Sequence, residues 1–270
     1  MRDWLYNVGD FWIYALFGGS AVVCFLLAPI IGNRLGLTVP NKDRGQETDA
    51  SQLGPFWHVA AAQEALVTLT AVVLAFSLVE VQDNLRKTEE LVAKEAGQLN
   101  SMDRQLFRYG DPKVSQMRPL LWTYLESIVH DEWPALRAGS RSPRTTEAVQ
   151  TLARAVFALD PQPGRQTTIY DKVLASLDEI ADIREQRISA SGLQLTREFW
   201  YLTFTLVAIL IILSAMVEPV SYGMVSIAAQ GVAIALLAAL VFSTDSPFKG
   251  QISVSPTPLE HALTLMKGRT

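Results

Sequence analysis

Four apolar stretches, divided into two pairs by a charged middle, dominate the pattern of hydrophobic and polar positions. They cover Phe11–Ile31, Phe56–Val79, Phe199–Val217 and Tyr222–Ser243. A helix that crosses a bilayer needs about 20 mostly apolar residues, and each stretch is close to that length. The pattern therefore predicts an all-α membrane protein with four transmembrane helices.

The second apolar stretch continues as a helical pattern well beyond the thickness of a bilayer. Neither Gly nor Pro interrupts it as far as Ala96, and apolar side chains then recur every three or four positions. We expect one helix from about Trp57 to about Tyr109, roughly 80 Å long at 1.5 Å per residue. The turn sequence Gly110-Asp111-Pro112 should end it, with Asp111 as the N-cap of the next helix.

Three further helices are predicted in the charged middle, because apolar residues recur there at helical spacing between turn residues. The fold class is thus an all-α membrane protein whose four spans carry a cytoplasmic helical body, formed by extensions of the second and third spans. The predicted bounds of the three helices are Asp111 to Pro134 and Gly139, Ser142 to about Leu159, and about Thr167 through Gly192 and Arg197 into the third span.

The distribution of basic residues predicts the topology. Lys and Arg are concentrated in the middle and occur in the tail, whereas the short loop Glu218–Ser221 has none. Because basic residues favour the cytoplasmic side, the middle and both termini should be cytoplasmic. The predicted segments are a first transmembrane pair at 1–81, a cytoplasmic helical body at 82–197, a second transmembrane pair at 198–244 and a cytoplasmic tail at 245–270.

Composition removes several classes of function. The net charge of −4 argues against a nucleic-acid partner, and the single cysteine, Cys24, excludes an intramolecular disulfide. The three histidines, His58, His130 and His261, lack the spacing of metal ligands. Because no phosphate loop, nucleophile elbow or zinc helix is present, we expect neither an enzyme nor a bound cofactor or metal.

Polar side chains on the second span are the candidates for pore lining or ion binding. An ionisable group inside a span faces protein or water, which makes Glu64 the strongest candidate, on one face with Thr68. The alternative is helix packing, because small and hydroxyl residues also let helices approach closely. Near the end of the span, Glu80 is either part of the ion path or a solvated interfacial residue. The full candidate set is Gln63, Glu64, Thr68, Thr70, Ser77 and Glu80, of which Gln63, Thr70 and Ser77 form a second face with a repeat of seven.

Two more candidates lie at the ends of spans. Glu218 is predicted at the outer vestibule, and a ring of Glu64 or Glu218 from several copies would attract cations. A rigid turn is predicted at the inner mouth, where Asp245 either caps backbone groups or binds a cation. The residues of this turn are Asp245, Pro247, Phe248 and Gly250.

Several short motifs, in this order and spacing, resemble the bestrophin-like family of bacterial four-span proteins. The similarity extends from the second span to the tail. It rests on Leu74-Ala75-Phe76, Glu95-Ala96, Arg104, Tyr124, Glu132-Trp133-Pro134, Asp245-Ser-Pro247-Phe248-Lys-Gly250 and Val254-Ser-Pro256.

The resemblance implies a homo-oligomeric ion channel in the bacterial inner membrane, with copies of the second span around the pore. The layout of bestrophin channels suggests five copies. Their acidic calcium-binding run after the fourth span is absent, because Asp245 is the only acid before Glu260. The expected partners are lipid, further copies of the chain and inorganic ions.

Two other functions remain open on the residues alone. A non-conducting scaffold or sensor would use the cytoplasmic body to bind a partner. A secondary transporter would show helices broken by Gly or Pro near the bilayer midplane, and the second and third spans lack such breaks. The sequence therefore favours a channel, with a weak preference for cations because of Glu64.

Overall fold

The computed structural model describes residues 9–39, 55–111, 114 and 116–269. In these residues the chain is helical, and no strand is formed apart from an isolated bridge between Val39 and Val217. The helices are α1 (Asp10–Arg34), α2 (Pro55–Tyr109), α3 (Arg118–Ser127), α4 (Trp133–Arg137), α5 (Pro143–Phe157), α6 (Arg165–Ala190), α7 (Arg197–Ala215), α8 (Ser221–Thr244) and α9 (Thr257–Lys267).

Four of these helices, α1, α2, α7 and α8, are long and apolar enough to cross a membrane. The predicted all-α, four-span fold is therefore confirmed. The chain divides into two compact units. We call residues 1–82 with 194–245 the membrane unit, and residues 83–193 with 246–270 the body unit.

Inside the membrane unit, α1 packs against α7 and α8 at points where glycine permits close approach. A Cβ atom on Gly32 would overlap the backbone oxygen of Ala215, so this glycine lets the backbones of α1 and α7 come closer than any side chain would allow. A Cβ atom on Gly231 would overlap the ring of Phe25, so this glycine makes room on α8 for an aromatic side chain of α1.

Most residues of the four spans are not buried by the rest of the chain. In the apolar windows of α1, α2, α7 and α8, the buried share of residues is 33%, 22%, 28% and 39%. Large apolar side chains such as Phe76, Phe204 and Ile212 are more than half exposed. This surface requires lipid or another copy of the chain, since a water-soluble protein rarely exposes so large an apolar patch.

The body unit has a continuous core of large aliphatic and aromatic side chains. On α2, the buried stripe continues through Val92, Leu99 and Leu106. It packs with residues of α3, α5, α6 and α9, including Tyr124 and Leu152. The spacing of the stripe, seven residues between successive members, is the helical period that the sequence predicts.

The helix predicted to start at Asp111 was expected to close at Pro134 and Gly139, and the structure corrects the first of these two positions but agrees with the second. Residues Ile128–Glu132 form a π-helical turn in which Trp133 N–H donates to Ile128 O, five residues back. Pro134 then lies near the start of α4, where its missing N–H is tolerated. The chain stays helical to Arg137, and Gly139, at φ +71°, follows its end.

The predicted continuation of the last body helix into the third span is also corrected. α6 ends at Ala190 and α7 begins at Arg197, with a turn at Ser191 and Gly192 between them. By contrast, α2 is one 55-residue helix, and Ser142 caps α5 by accepting the N–H of Thr145 at 3.2 Å. Both of these predictions are confirmed.

Candidate functional site

The two polar faces of α2 have opposite environments within the chain. Gln63, Thr70 and Ser77 are 6%, 0% and 7% exposed, so their face packs against the rest of the membrane unit. Glu64 and Thr68 are exposed. Of the two faces, only that of Glu64 is open to water, lipid or another copy.

Hydroxyl groups on both faces donate to carbonyl groups of their own helix. Thr68 Oγ1 donates to Glu64 O at 2.9 Å, and Thr70 Oγ1 donates to Leu66 O at 2.7 Å. Ser77 Oγ donates to Val73 O at 3.0 Å. A hydroxyl whose proton is used in this way presents only lone pairs to a ligand, so Thr68 offers an exposed oxygen acceptor one turn from the Glu64 carboxylate.

A small cavity of about 140 Å³ lies between α2 and α8 beside Glu64. In its wall, Gln63 Nε2 donates to Gln230 Oε1 at 3.4 Å, and Ser226 adds a hydroxyl. The carboxylate of Glu64 lines the same cavity. Sequence reasoning missed Gln230, although an isolated amide in the fourth span is itself a signal, since a polar group in lipid needs a partner.

The remaining acidic candidates are separate from this cavity. Glu80 is exposed on α2 and lies sixteen residues after Glu64, which corresponds to roughly 24 Å along a helix. Glu218 is half-buried in the loop between α7 and α8, next to Val217, which lines the cavity. The chain therefore does not gather Glu64 and Glu80 into one site.

Asp245 acts on the backbone at the end of α8. It is 2% exposed, and its Oδ1 accepts the N–H of Leu195 at 2.6 Å. Further along the predicted turn, Pro247 O accepts the N–H of Val254 at 2.8 Å, and Gly250 has φ +83°. Phe248 is buried, with its ring centroid 5.3 Å from that of Trp133. These contacts describe a hydrogen-bonded turn.

A buried network of two carboxylates and two guanidinium groups lies in the body unit. Arg187 donates from Nε to Glu95 at 2.7 Å and from Nη2 to Glu132 at 2.7 Å. Arg184 donates from Nε to Glu132 at 3.1 Å and from Nη2 to Thr146 at 3.1 Å. Glu95, Glu132 and Arg187 are 0% exposed and Arg184 is 6% exposed. The paired charges cancel, which is the condition for burying them.

The electrostatics of this network match its geometry. Burial alone would lower the pKa of Arg187, but the charges of Glu95 and Glu132 outweigh it and raise the pKa. Burial, and then the charge of Glu95, raises the pKa of the Tyr124 phenol well above its ordinary value. Arg187 is thus held charged, and Tyr124 is held neutral. The network is suited to fixing α2, α6 and the π-helical turn together rather than to proton transfer.

Another buried carboxylate, that of Asp103, holds the C-terminal segment. Asp103 is 0% exposed and accepts from Arg118 Nε at 2.9 Å, from Trp122 Nε1 at 3.2 Å and from Arg269 Nη1 at 2.6 Å. Arg118 Nη2 also donates to the backbone oxygens of Met266 and Arg269. The end of α9 is therefore fixed to α2 and α3.

Within the described part of the chain, no group of three or more His, Cys, Asp or Glu side chains could hold a metal ion. Of the described acidic residues that are buried, Glu95, Asp103 and Glu132 are bonded to guanidinium groups, and Asp245 accepts a backbone N–H. The chemistry that the structure offers to a small ligand is thus concentrated around Glu64.

Comparison with known proteins identifies relatives by family and by fold. A family model described as Bestrophin-like domain matches residues 59–259. A membrane protein solved as a proline-to-alanine variant is 13% identical, with a TM-score of 0.68 over 93% of this chain and 99% of its own. A bacterial bestrophin homologue from Klebsiella pneumoniae, carrying a single mutation, is 14% identical, with a TM-score of 0.63 over 92% of this chain and 94% of its own. A search of curated proteins finds no match.

Proposed function

Because the chain belongs to the bestrophin-like family, we propose that copies of it assemble into an ion channel in which α2 lines the pore and cations are favoured. The solved structures in the comparison support the fold. The proposals for the ion, the pore and the assembly rest on the residues of this chain. Five copies, the inner membrane and cytoplasmic termini stay predictions.

The exposed carboxylate of Glu64 within a span is the observation that carries the proposal. The neighbouring face of α2, that of Gln63, Thr70 and Ser77, is buried in the chain, whereas Glu64 is exposed at the edge of the cavity between α2 and α8. A charge placed in lipid in this way is unfavourable. Copies of α2 around a hydrated axis would place it in water instead.

The exposure of α2 supports its place at such an axis. Only 22% of its apolar window is buried, the smallest share among the four spans. It therefore has the most surface to offer to neighbouring copies. The oxygen of Thr68 and the carboxylate of Glu64 both present acceptors, and acceptors stabilise cations rather than anions.

An apolar constriction can follow this polar segment. Val72, Phe76 and Val79 are 45%, 73% and 65% exposed, at helical spacing on an adjoining face of α2. Rings of such side chains can gate a pore by excluding water. Leu74 is fully buried, so we assign it, with Gln63, Thr70 and Ser77, to packing within the subunit.

The test is ion flux through protein reconstituted in liposomes, with Glu64→Gln as the variant. This change removes the charge and keeps the shape. We expect the cation-to-anion permeability ratio to fall by about tenfold, which corresponds to about 1.4 kcal/mol. Glu89→Gln is the matched control, because Glu89 is an exposed carboxylate on the same helix but in the body unit, and it should leave the ratio unchanged.

Two results would count against the proposal. If the wild-type protein carries no flux in any salt or at any voltage, the non-conducting scaffold becomes the better explanation. If flux occurs but Glu64→Gln and Glu89→Gln behave alike, Glu64 does not face the ion path.

A further inference from the structure

An apolar cavity of about 320 Å³ lies within the membrane unit between α1, α7 and α8. Phe17, Cys24 and Phe25 of α1 face it, together with Val207 of α7 and Ala235 of α8. Apolar cavities of about 150 Å³ already bind molecules the size of benzene. This cavity is twice as large and lies among the spans, where the surrounding medium is hydrocarbon.

The hydroxyl groups of its wall do not donate hydrogen bonds to a ligand. Ser20 Oγ donates to Phe17 O at 2.9 Å, and Thr203 Oγ1 donates to Phe199 O at 2.9 Å. Each hydroxyl proton is therefore used within its own helix. A ligand in this cavity meets a hydrocarbon wall with one thiol, that of Cys24.

A second cavity, of about 550 Å³, adjoins the first at the start of α7. Trp200 and Phe204 line both cavities. The second cavity is polar at its other side, where Gln194 and Arg197 lie, and Arg197 is the one charged residue among the described residues that line it. In the described part of the chain no side chain caps the start of α7, so its first N–H groups add to the positive potential of Arg197, which the neighbouring Glu198 partly offsets.

We propose that these two adjoining cavities bind one phospholipid with an anionic headgroup. Its acyl chain lies in the apolar cavity between α1, α7 and α8, and its phosphate lies against Arg197 and the first turn of α7. The bilayer itself supplies this ligand. A basic group next to a gap between spans is the arrangement that anionic headgroups favour, and the hydrocarbon wall gives the acyl chain a complementary surface.

The experiment measures lipid retained by the purified full-length protein in detergent, with phosphatidylglycerol or phosphatidylcholine added. Ala235→Phe fills the apolar cavity, and Ala233→Phe is its matched control on the same helix, because Ala233 is exposed and lines neither cavity. We expect Ala235→Phe to lower retention of both lipids by at least about tenfold, because the ring displaces methylene groups of the acyl chain from the cavity. Ala233→Phe should retain both lipids like the wild type.

The headgroup contact has its own variant. Arg197→Ala should reduce the preference for phosphatidylglycerol over phosphatidylcholine by about fivefold, the effect of one basic residue near an anionic surface. Arg34→Ala is the control, since Arg34 is an exposed basic residue in the last turn of another span. Equal retention by Ala235→Phe and Ala233→Phe, or an unchanged preference in Arg197→Ala, would overturn the proposal.

A measurement on the wild-type protein avoids dependence on folded variants. Cys24 is the only cysteine of the chain, and it lines the apolar cavity. Added phosphatidylglycerol should slow its labelling by N-ethylmaleimide several-fold, whereas glycerol phosphate, which has the headgroup chemistry without an acyl chain, should not. A labelling rate that is the same with and without the lipid contradicts binding in the cavity.

Discussion

The membrane unit and the body unit treat their charged residues in opposite ways. In the body unit, Glu95, Glu132 and Arg187 are fully buried and bonded to one another. In the membrane unit, Glu64 stays exposed on the surface of a span. The body unit therefore completes its own electrostatics within one chain, while the membrane unit leaves a charge whose environment must come from outside the chain.

The difference extends to packing. The core of the body unit contains large side chains such as Leu99, Met102 and Tyr124, each fully buried. The membrane unit uses Gly32 to bring two backbones together and Gly231 to make room for the ring of Phe25, and it leaves most of its apolar surface uncovered. The stability of the body unit can therefore be tested as a property of one chain, whereas the membrane unit must be tested in lipid and as an assembly.

The largest effect is expected from breaking the buried network of the body unit. Glu132→Gln leaves Arg184 and Arg187 without their shared carboxylate, and removal of one partner from a buried pair destabilises a protein by about 3–5 kcal/mol. Thermal unfolding in detergent, followed by tryptophan fluorescence, measures the loss.

The matched control for this change is Glu185→Gln. Glu185 pairs with Arg141 at 2.8 Å, but both side chains are more than half exposed, and such pairs contribute about 0–1 kcal/mol. Equal destabilisation by Glu132→Gln and Glu185→Gln would remove the contrast between the buried and exposed charges of the body unit.

A smaller effect is expected from adding a methyl group to the glycine contacts of the membrane unit. Gly32→Ala would place a Cβ atom against the backbone of Ala215, so α1 and the end of α7 must separate. Overpacking of this kind destabilises a protein by about 1–3 kcal/mol. Gly19→Ala on the same helix meets no atom within 4 Å, so its melting temperature in detergent should equal or exceed that of the wild type. A Gly32→Ala melting temperature as high as that of Gly19→Ala would show that the contact has no energetic weight.

The smallest effect is expected at alkaline pH, from Tyr124. Its phenol has a raised pKa from burial and from Glu95, above the ordinary value of 10.0. The folded chain thus holds this proton more tightly than the unfolded chain does. The resulting stability is fully present below about pH 10 and is lost as the pH rises further.

Tyr124→Phe should remove that pH dependence. At neutral pH the phenol oxygen has no hydrogen-bond partner in the described structure, so the change should be nearly neutral, within about 1 kcal/mol. Above pH 10 the variant should lose stability less steeply than the wild type, while Tyr201→Phe, at a 68% exposed position, should follow the wild type. Identical alkaline curves for wild type and Tyr124→Phe would refute the assigned environment.

The long elements of the fold were predictable because their signals are local. The four spans follow from run length, and the 55-residue α2 follows from an apolar period in which Gly97 is the only Gly or Pro after Pro55. The break between α6 and α7 was not predictable, because a single Gly192 inside a helical pattern is compatible with both a helix and a turn. Pro134 likewise predicted the end of a helix. The π-helical turn before it places Pro134 near the start of α4, where a residue without an N–H is tolerated.

The candidate site was only partly predictable because its partners are distant in sequence. Glu64 stands out as a lone charge in an apolar run, but Gln230 pairs with Gln63 across 167 positions. Arg184 and Arg187 have the same local pattern as solvent-facing arginines on any amphipathic helix. Only the fold reveals that they face Glu132 and Glu95, since periodicity gives the face of a helix and not its neighbour.

The sequence separation between the partners of the buried network also sets an order of events during translation. Glu95 is made 92 positions before Arg187, and Glu132 is made 52 positions before Arg184. At about 5–20 residues per second, the ribosome needs about 5–18 seconds to cover the longer gap. Each carboxylate must remain hydrated in the nascent chain until its arginine has been made, so the body cannot close around them until α6 has been synthesised.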